Sequence, residues 1–200
     1  MAQRSAIEKA DQVAHRFFLK FALIVDNARE TVEPLAHESA TARNDKWFNI
    51  ETPDSEKYSE QLRAYRYISK LQSPPPPFEI QVLLTIPELR NNQVLVFNVS
   101  PTSRVRMDPT ISHIVLESWQ LEFTPSSVGD DIRLAAVYKQ GITLYRSLFS
   151  LLRVLPAWRL CQKLRRRRTK HGLIPNGSLG IEIRVRTDTG VLRIGEYFSL

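Results

Sequence analysis

The residues with the most chemistry to offer are basic and gather late in the chain. From Arg159 to Arg186 nine Lys or Arg stand against Glu182 alone, and Arg165, Arg166, Arg167 and Arg168 are consecutive. The formal net charge is +7 and that segment alone carries +8, so the rest of the chain is close to neutral. A local basic run suits phosphate, an acidic protein or an anionic lipid surface, and it equally suits a solvated loop. Residues 162–177 are expected to form such a loop. Arg146 and Arg153 stand seven apart, hence on one side of a helix. The sole cysteine, Cys161, has Arg159 and Lys163 nearby to lower its pKa, but no histidine accompanies it, and buried packing is the better account.

The remaining catalytic candidates are sparse. His15, His37, His113 and His171 fall in four separate segments without paired ligand spacing, which gives a metal site no support. There is no GxGxxG, GxxxxGK[ST], GxSxG or HExxH, and only seven glycines are available for any phosphate-cradling loop. The expectation is a non-enzyme with no cofactor and no metal. A pI near 9.8 would suit a nucleic-acid arm, yet no base-reading motif accompanies the arginines. The aromatics Trp47, Trp119, Tyr145, Phe149 and Trp158 fit core packing better than base stacking, so specific nucleic-acid recognition is not expected.

At 200 residues and 42% hydrophobic the chain can bury one sizeable core, and a single domain over 1–200 is expected. One cysteine excludes an internal disulfide framework. No apolar window approaches a membrane span and MAQRSAIEKADQ lacks a signal peptide's apolar stretch, so a cytosolic protein is expected.

These side chains need elements to hold them. Ile7, Ala10, Ala14, Phe17, Phe21, Ile24, Val25 and Ala28 share one face of a predicted helix from about Ser5 to Glu30, with Glu8, Lys9, Asp11, Arg16 and Lys20 off it. Ser5 and Glu8 match a capping box, and Pro34 would end the segment. WFNIET reads as a short strand or extended anchor, and SEKYSEQLRAYRYISKL as a charged helical segment. Four prolines, Pro74 to Pro77, form a stiff extended connector rather than a ligand for a proline-binding module. Strand-like alternation follows at Phe78 to Ile86, Gln93 to Val99 and His113 to Phe123. The first two would be joined through a turn at Asn91-Asn92 as part of a meander, and a parity break near Ser118 suggests a bulge.

Leu134, Val137, Tyr138, Ile142, Tyr145, Phe149, Leu152 and Leu155 then repeat at helical spacing, within one predicted helix running from Ala135 into the four-arginine tail. Leu179 to Thr187 alternates as a further strand, and Gly190 to Tyr197 as another. The order reads as α+β, a sheet with helices packed on one face. The helix running into Pro156 is expected to be the spine on which the sheet lies, its guanidinium groups turned outward.

Several blocks together resemble the N-terminal HORMA domain of the autophagy-related protein 13 family, fungal type: HRFFLKFALIV, WFNIET, PPPPFEIQVLLTIPELRNNQVLV, VLESWQLEF and, most specifically, VYKQGITLYRSLFSLLRVLPAWRL. The resemblance spans about residues 7 to 187. It implies a HORMA fold, an antiparallel sheet backed by long helices, acting as a scaffold in the autophagy-initiation kinase complex at the phagophore assembly site. The partners it implies are a second HORMA protein, autophagy-related protein 101, with autophagy-related protein 9 vesicles and the phosphatidylinositol 3-kinase complex. It also implies an anion site of paired arginines, for which Arg146 and Arg153 match the pattern and Arg66 is a weaker candidate. A guanidinium's planar fork of donors suits phosphate oxygens. Equally, the two arginines would pair with Glu79 or Glu117. The alternative function is a basic membrane-surface or nucleic-acid-binding module built on Arg165 to Arg168. Only GVLRIGEYFSL follows Thr189, so the closing C-terminal belt of a HORMA fold is expected to be short or truncated.

Overall fold

The computed structural model describes residues 2–31, 44–54, 56–124, 133–171 and 179–186, without the side chains of 2–5 and 167–171. The proposed strand at Gly190 to Tyr197, the belt and the Pro34 terminator lie outside them.

Helix α1, Ala2–Arg29, is the spine. It starts before Ser5, so the capping box does not mark its beginning. Its middle is enclosed on all sides: residues 18–25 are buried without interruption. One apolar stripe predicts a half-buried helix with Lys20 and Asp11 outside, but both are buried. Each is matched by polar groups arriving from far along the chain, which a local pattern cannot show.

The main sheet has three antiparallel strands. Strand β3, Phe78–Thr85, is central, between β6, His113–Leu121, and β7, Gly180–Arg186. Phe78, Ile80 and Val82 are fully buried, as the alternation requires. The expected bulge is present: the register passes from Val82 opposite Glu117 to Leu83 opposite Val115, leaving Leu116 unpaired two residues from Ser118. Phe18 and Phe21 of α1 pack on Phe78, which seats the sheet on α1.

The expected meander does not form. The turn at Asn91-Asn92 is present, with Gln93 N–H donating to Arg90 O, but β4, Val96–Asn98, pairs only with β5, Arg104–Arg106, in a separate hairpin. WFNIET is a strand only at its last residue, Thr52, and serves as an anchor through Phe48. It makes a tight turn between β1, Asn44–Asp45, and β2, Thr52–Pro53, with Phe48 and Asn49 left-handed at φ 56° and 53°. Phe48 accepts that conformation because its ring is fully buried. The segment 56–70 winds as three short 3-10 turns rather than one helix. The proline run carries neither helix nor strand, and Tyr65 Oη donates to Pro76 O at 2.7 Å.

The long helix is two. Helix α2, Leu134–Val154, ends at Leu155, whose φ −68° and ψ 150° are extended, and α3, Pro156–His171, begins at once. Proline disfavours helical geometry in the residue before it but fits a helix's first turn. The basic loop expected at 162–177 is therefore helical up to His171. α2 runs beside α1 in the same sense, Tyr145 meeting Phe17 and the Leu152 carbonyl meeting Arg29. The sheet's spine is thus α1, and α2 flanks it.

Candidate functional site

Helix α2 presents three faces, each set by the 3.6-residue turn. The inward face carries Tyr138, Gly141, Tyr145 and Leu152, the last three buried. Phe48 stacks on Tyr138, with centroids 4.9 Å apart, and its backbone N–H donates to Tyr138 Oη at 3.0 Å. Gly141 is required by this approach: a Cβ there would stand 2.7 Å from the Phe48 ring. Tyr145 Oη donates to Phe17 O, and burial pushes its hydroxyl far above the usual phenol range.

The inward face is locked by buried charge. Arg29, 0% exposed, forks onto both carboxylate oxygens of Glu117 at 2.9 Å and donates to Leu152 O at 2.8 Å, tying α1, β6 and α2 together. Trp119 Nε1 donates to the same carboxylate at 3.0 Å. At the other end Lys20 Nζ pairs with Asp45 and donates to Ile50 O and Thr52 Oγ1, which fixes the turn bearing Phe48. Burial holds its ammonium below the ordinary lysine range, with Asp45 opposing. Arg29 and Lys20 do not stand out in sequence, because the partners that hold them across the fold lie 25 to 123 positions away.

One flank of α2 is basic. Arg146 is exposed, and no side-chain partner for it occurs among the described residues. Arg153 lies over the Phe149 ring, 3.3 Å from its centroid, and donates to Phe149 O at 2.8 Å. Burial, then Arg29, holds its guanidinium below the usual range. Neither pairs with Glu79 or Glu117: Glu79 accepts from Ser118 and Gln81, and Glu117 holds Arg29. Arg66 is elsewhere, over Tyr67 and close enough to His15 to depress that imidazole. His15 and Arg29 are about 21 Å apart along α1. Arg66 thus lies beside the His15 stretch of α1 and Arg153 beside its Arg29 end.

The opposite flank of α2 is apolar and open. Leu144 is 50% exposed, Leu151 45% and, further round, Val154 72%. The signal is present in LYRSLFSLLRV, which holds more leucines than one buried stripe can absorb. Leu144, Leu148 and Leu151 make a second row beside the first.

Other candidate chemistry does not assemble. Burial pushes the Cys161 thiol up to about 11, the behaviour of a packed side chain and not of a nucleophile. Arg165 lies near enough to Glu30 to affect its carboxyl, and Arg166 is exposed. Among the described residues no group of three His, Cys, Asp or Glu could hold a metal, and no helix is long and apolar enough to cross a membrane. An open cleft of about 570 Å³ lies between Arg16, Asp45, Trp47 and Asp54, but Arg16 is already committed to Asp45 at 3.3 Å and to the Trp47 ring.

Comparison with known proteins adds an independent observation. The family model described as autophagy-related protein 13 matches residues 14–195. The chain is 31% identical to autophagy-related protein 13 of Sclerotinia sclerotiorum over 96% of its length and 22% of the relative's. It is 29% identical to that of Gibberella zeae, over 85% and 20%. It is 31% identical to autophagy protein 13 of Schizosaccharomyces pombe, over 82% and 22%. The chain thus spans about a fifth of the length of these curated relatives.

Proposed function

The chain belongs to the autophagy-related protein 13 family, and we propose that it serves there as a non-catalytic recruitment module with a HORMA fold, docking a second HORMA protein through the apolar flank of α2. The observation that carries this is the open row of Leu144, Leu151 and Val154 on a helix whose inward face is already filled. Large aliphatic side chains left in water beside a full core mark a surface meant to be covered. An antiparallel sheet with helices beside it is compatible with the HORMA arrangement. In this reading the module is one domain working in the cytoplasm at the phagophore assembly site. The second HORMA protein is autophagy-related protein 101, and autophagy-related protein 9 vesicles and the phosphatidylinositol 3-kinase complex are recruited through the assembled pair.

The anion-binding part of the proposal narrows to Arg146, with Arg153 two turns along contributing charge from its place over Phe149. Arg66, beside His15 and Tyr67, stays the weaker candidate.

The test is size-exclusion chromatography of the chain mixed with autophagy-related protein 101. A stable complex is expected. Leu144→Asp with Leu151→Asp should abolish it, while Arg146→Gln should leave it intact, since rim charges contribute little to affinity. No complex with the unaltered chain, or a complex indifferent to the two aspartates, contradicts the reading.

A further inference from the structure

The hairpin of β4 and β5 takes no part in the core. Among the described residues no other element packs substantially against either strand. Its register sets Phe97 opposite Val105 on one face, and Val96 opposite Arg106 with Asn98 opposite Arg104 on the other. Both faces expose aliphatic or aromatic groups: Phe97 is 51% exposed and Val99 55% on one, Val94 51% and Val96 44% on the other. From Asn91 to Ser103 there is no charged side chain, whereas Arg90, Arg104 and Arg106 border that stretch.

We propose that this hairpin is a wedge that enters the interfacial zone of an anionic lipid bilayer. The hairpin is amphipathic, and the interfacial zone of an anionic bilayer suits it: Phe97, Val99 and Val105 of one face can enter among the lipids while Arg104 and Arg106 of the other match the negative headgroups. Arginine side chains at its border reach lipid phosphates, for which the guanidinium fork is suited, while their stems stay with the apolar groups. The turn is prepared for a poorly hydrated setting. Val99 and Ser100 N–H groups donate to Ser103 O, and Ser103 N–H donates to Ser100 Oγ and Ser100 O. Among the described residues the outer edges of both strands have no ladder partner, and unpaired backbone groups are costly in hydrocarbon, so entry stops at the headgroup and upper acyl level. The hairpin uses none of Arg165 to Arg168 and none of the apolar flank of α2.

Vesicle sedimentation tests it, using phosphatidylcholine alone and phosphatidylcholine with phosphatidylserine. The chain should sediment with the anionic vesicles. Phe97→Ser with Val99→Ser should weaken binding by roughly tenfold. Arg104→Gln and Arg106→Gln should each weaken it by roughly fivefold. An unchanged thermal midpoint shows that the serine variant is folded, and Phe97→Trp gives a second measurement. The emission added by that substitution should be quenched by brominated lipid in the anionic vesicles. The proposal is overturned if the chain does not sediment, if the serine variant binds as well as the unaltered chain, or if the introduced indole escapes quenching. It is equally overturned if only neutralising Arg165 to Arg168 releases the vesicles, or if the serine variant loses a protein partner and no lipid.

Discussion

Arg29 and Glu117 form the joint between α1, β6 and α2, and both are placed where an unmatched charge is expensive. Glu117→Ala strands the guanidinium inside the protein and should cost about 3–5 kcal/mol in denaturant unfolding, whereas replacing both partners with apolar residues of similar size should recover most of it. His15 carries the acid-side behaviour. Burial, then Arg16 and Arg66, lowers its pKa below 6.5. The folded state therefore resists a proton that the unfolded chain accepts, so this residue's contribution is complete above the unfolded value and is lost as pH falls through the folded one. His15→Gln should flatten the stability profile between about pH 7 and 5, followed by chemical denaturation across that range. Such residues are the least legible in sequence. Lys20 reads as an exposed lysine until Asp45, Ile50 and Thr52 are folded against it.

Elements are more legible where their pattern answers to a single neighbour. The strands at 78–85, 113–121 and 180–186 follow from alternation, since each lies in one sheet with one face against α1. Alternation says nothing about partners, which is why Gln93 to Val99 reads as part of the sheet when β4 belongs to a detached hairpin. Pro156 reads as the end of a rod, but the same proline starts α3, because its fixed φ suits a helix's first turn. Gly141 shows an element shaped by its neighbour. Alanine normally stabilises a helix over glycine by about 1 kcal/mol. Here its Cβ would stand 2.7 Å from the Phe48 ring, held by Tyr138, Tyr145 and Phe17. Gly141→Ala should therefore destabilise the domain by about 1–3 kcal/mol in thermal or denaturant unfolding, and Phe48→Leu should relieve part of that cost.

At the scale of the molecule, the enclosed helix, the sheet and the buried ion pairs make a packed body whose unfilled surfaces lie outside it: the apolar flank of α2 and the hairpin. Family membership is legible from blocks of sequence, and the likeness to the relatives, about 30% identity, extends over most of the chain. Which face meets a partner is not, because an exposed leucine and a buried one look alike until the fold separates them. The most direct measurement is methyl NMR of the leucine- and valine-labelled chain as unlabelled autophagy-related protein 101 is added. The account predicts that the methyl signals of Leu144, Leu151 and Val154 shift or broaden while those of buried Leu62 and Val82 stay in place. A bound complex in which the α2 signals do not move, with the perturbation falling elsewhere, would contradict it.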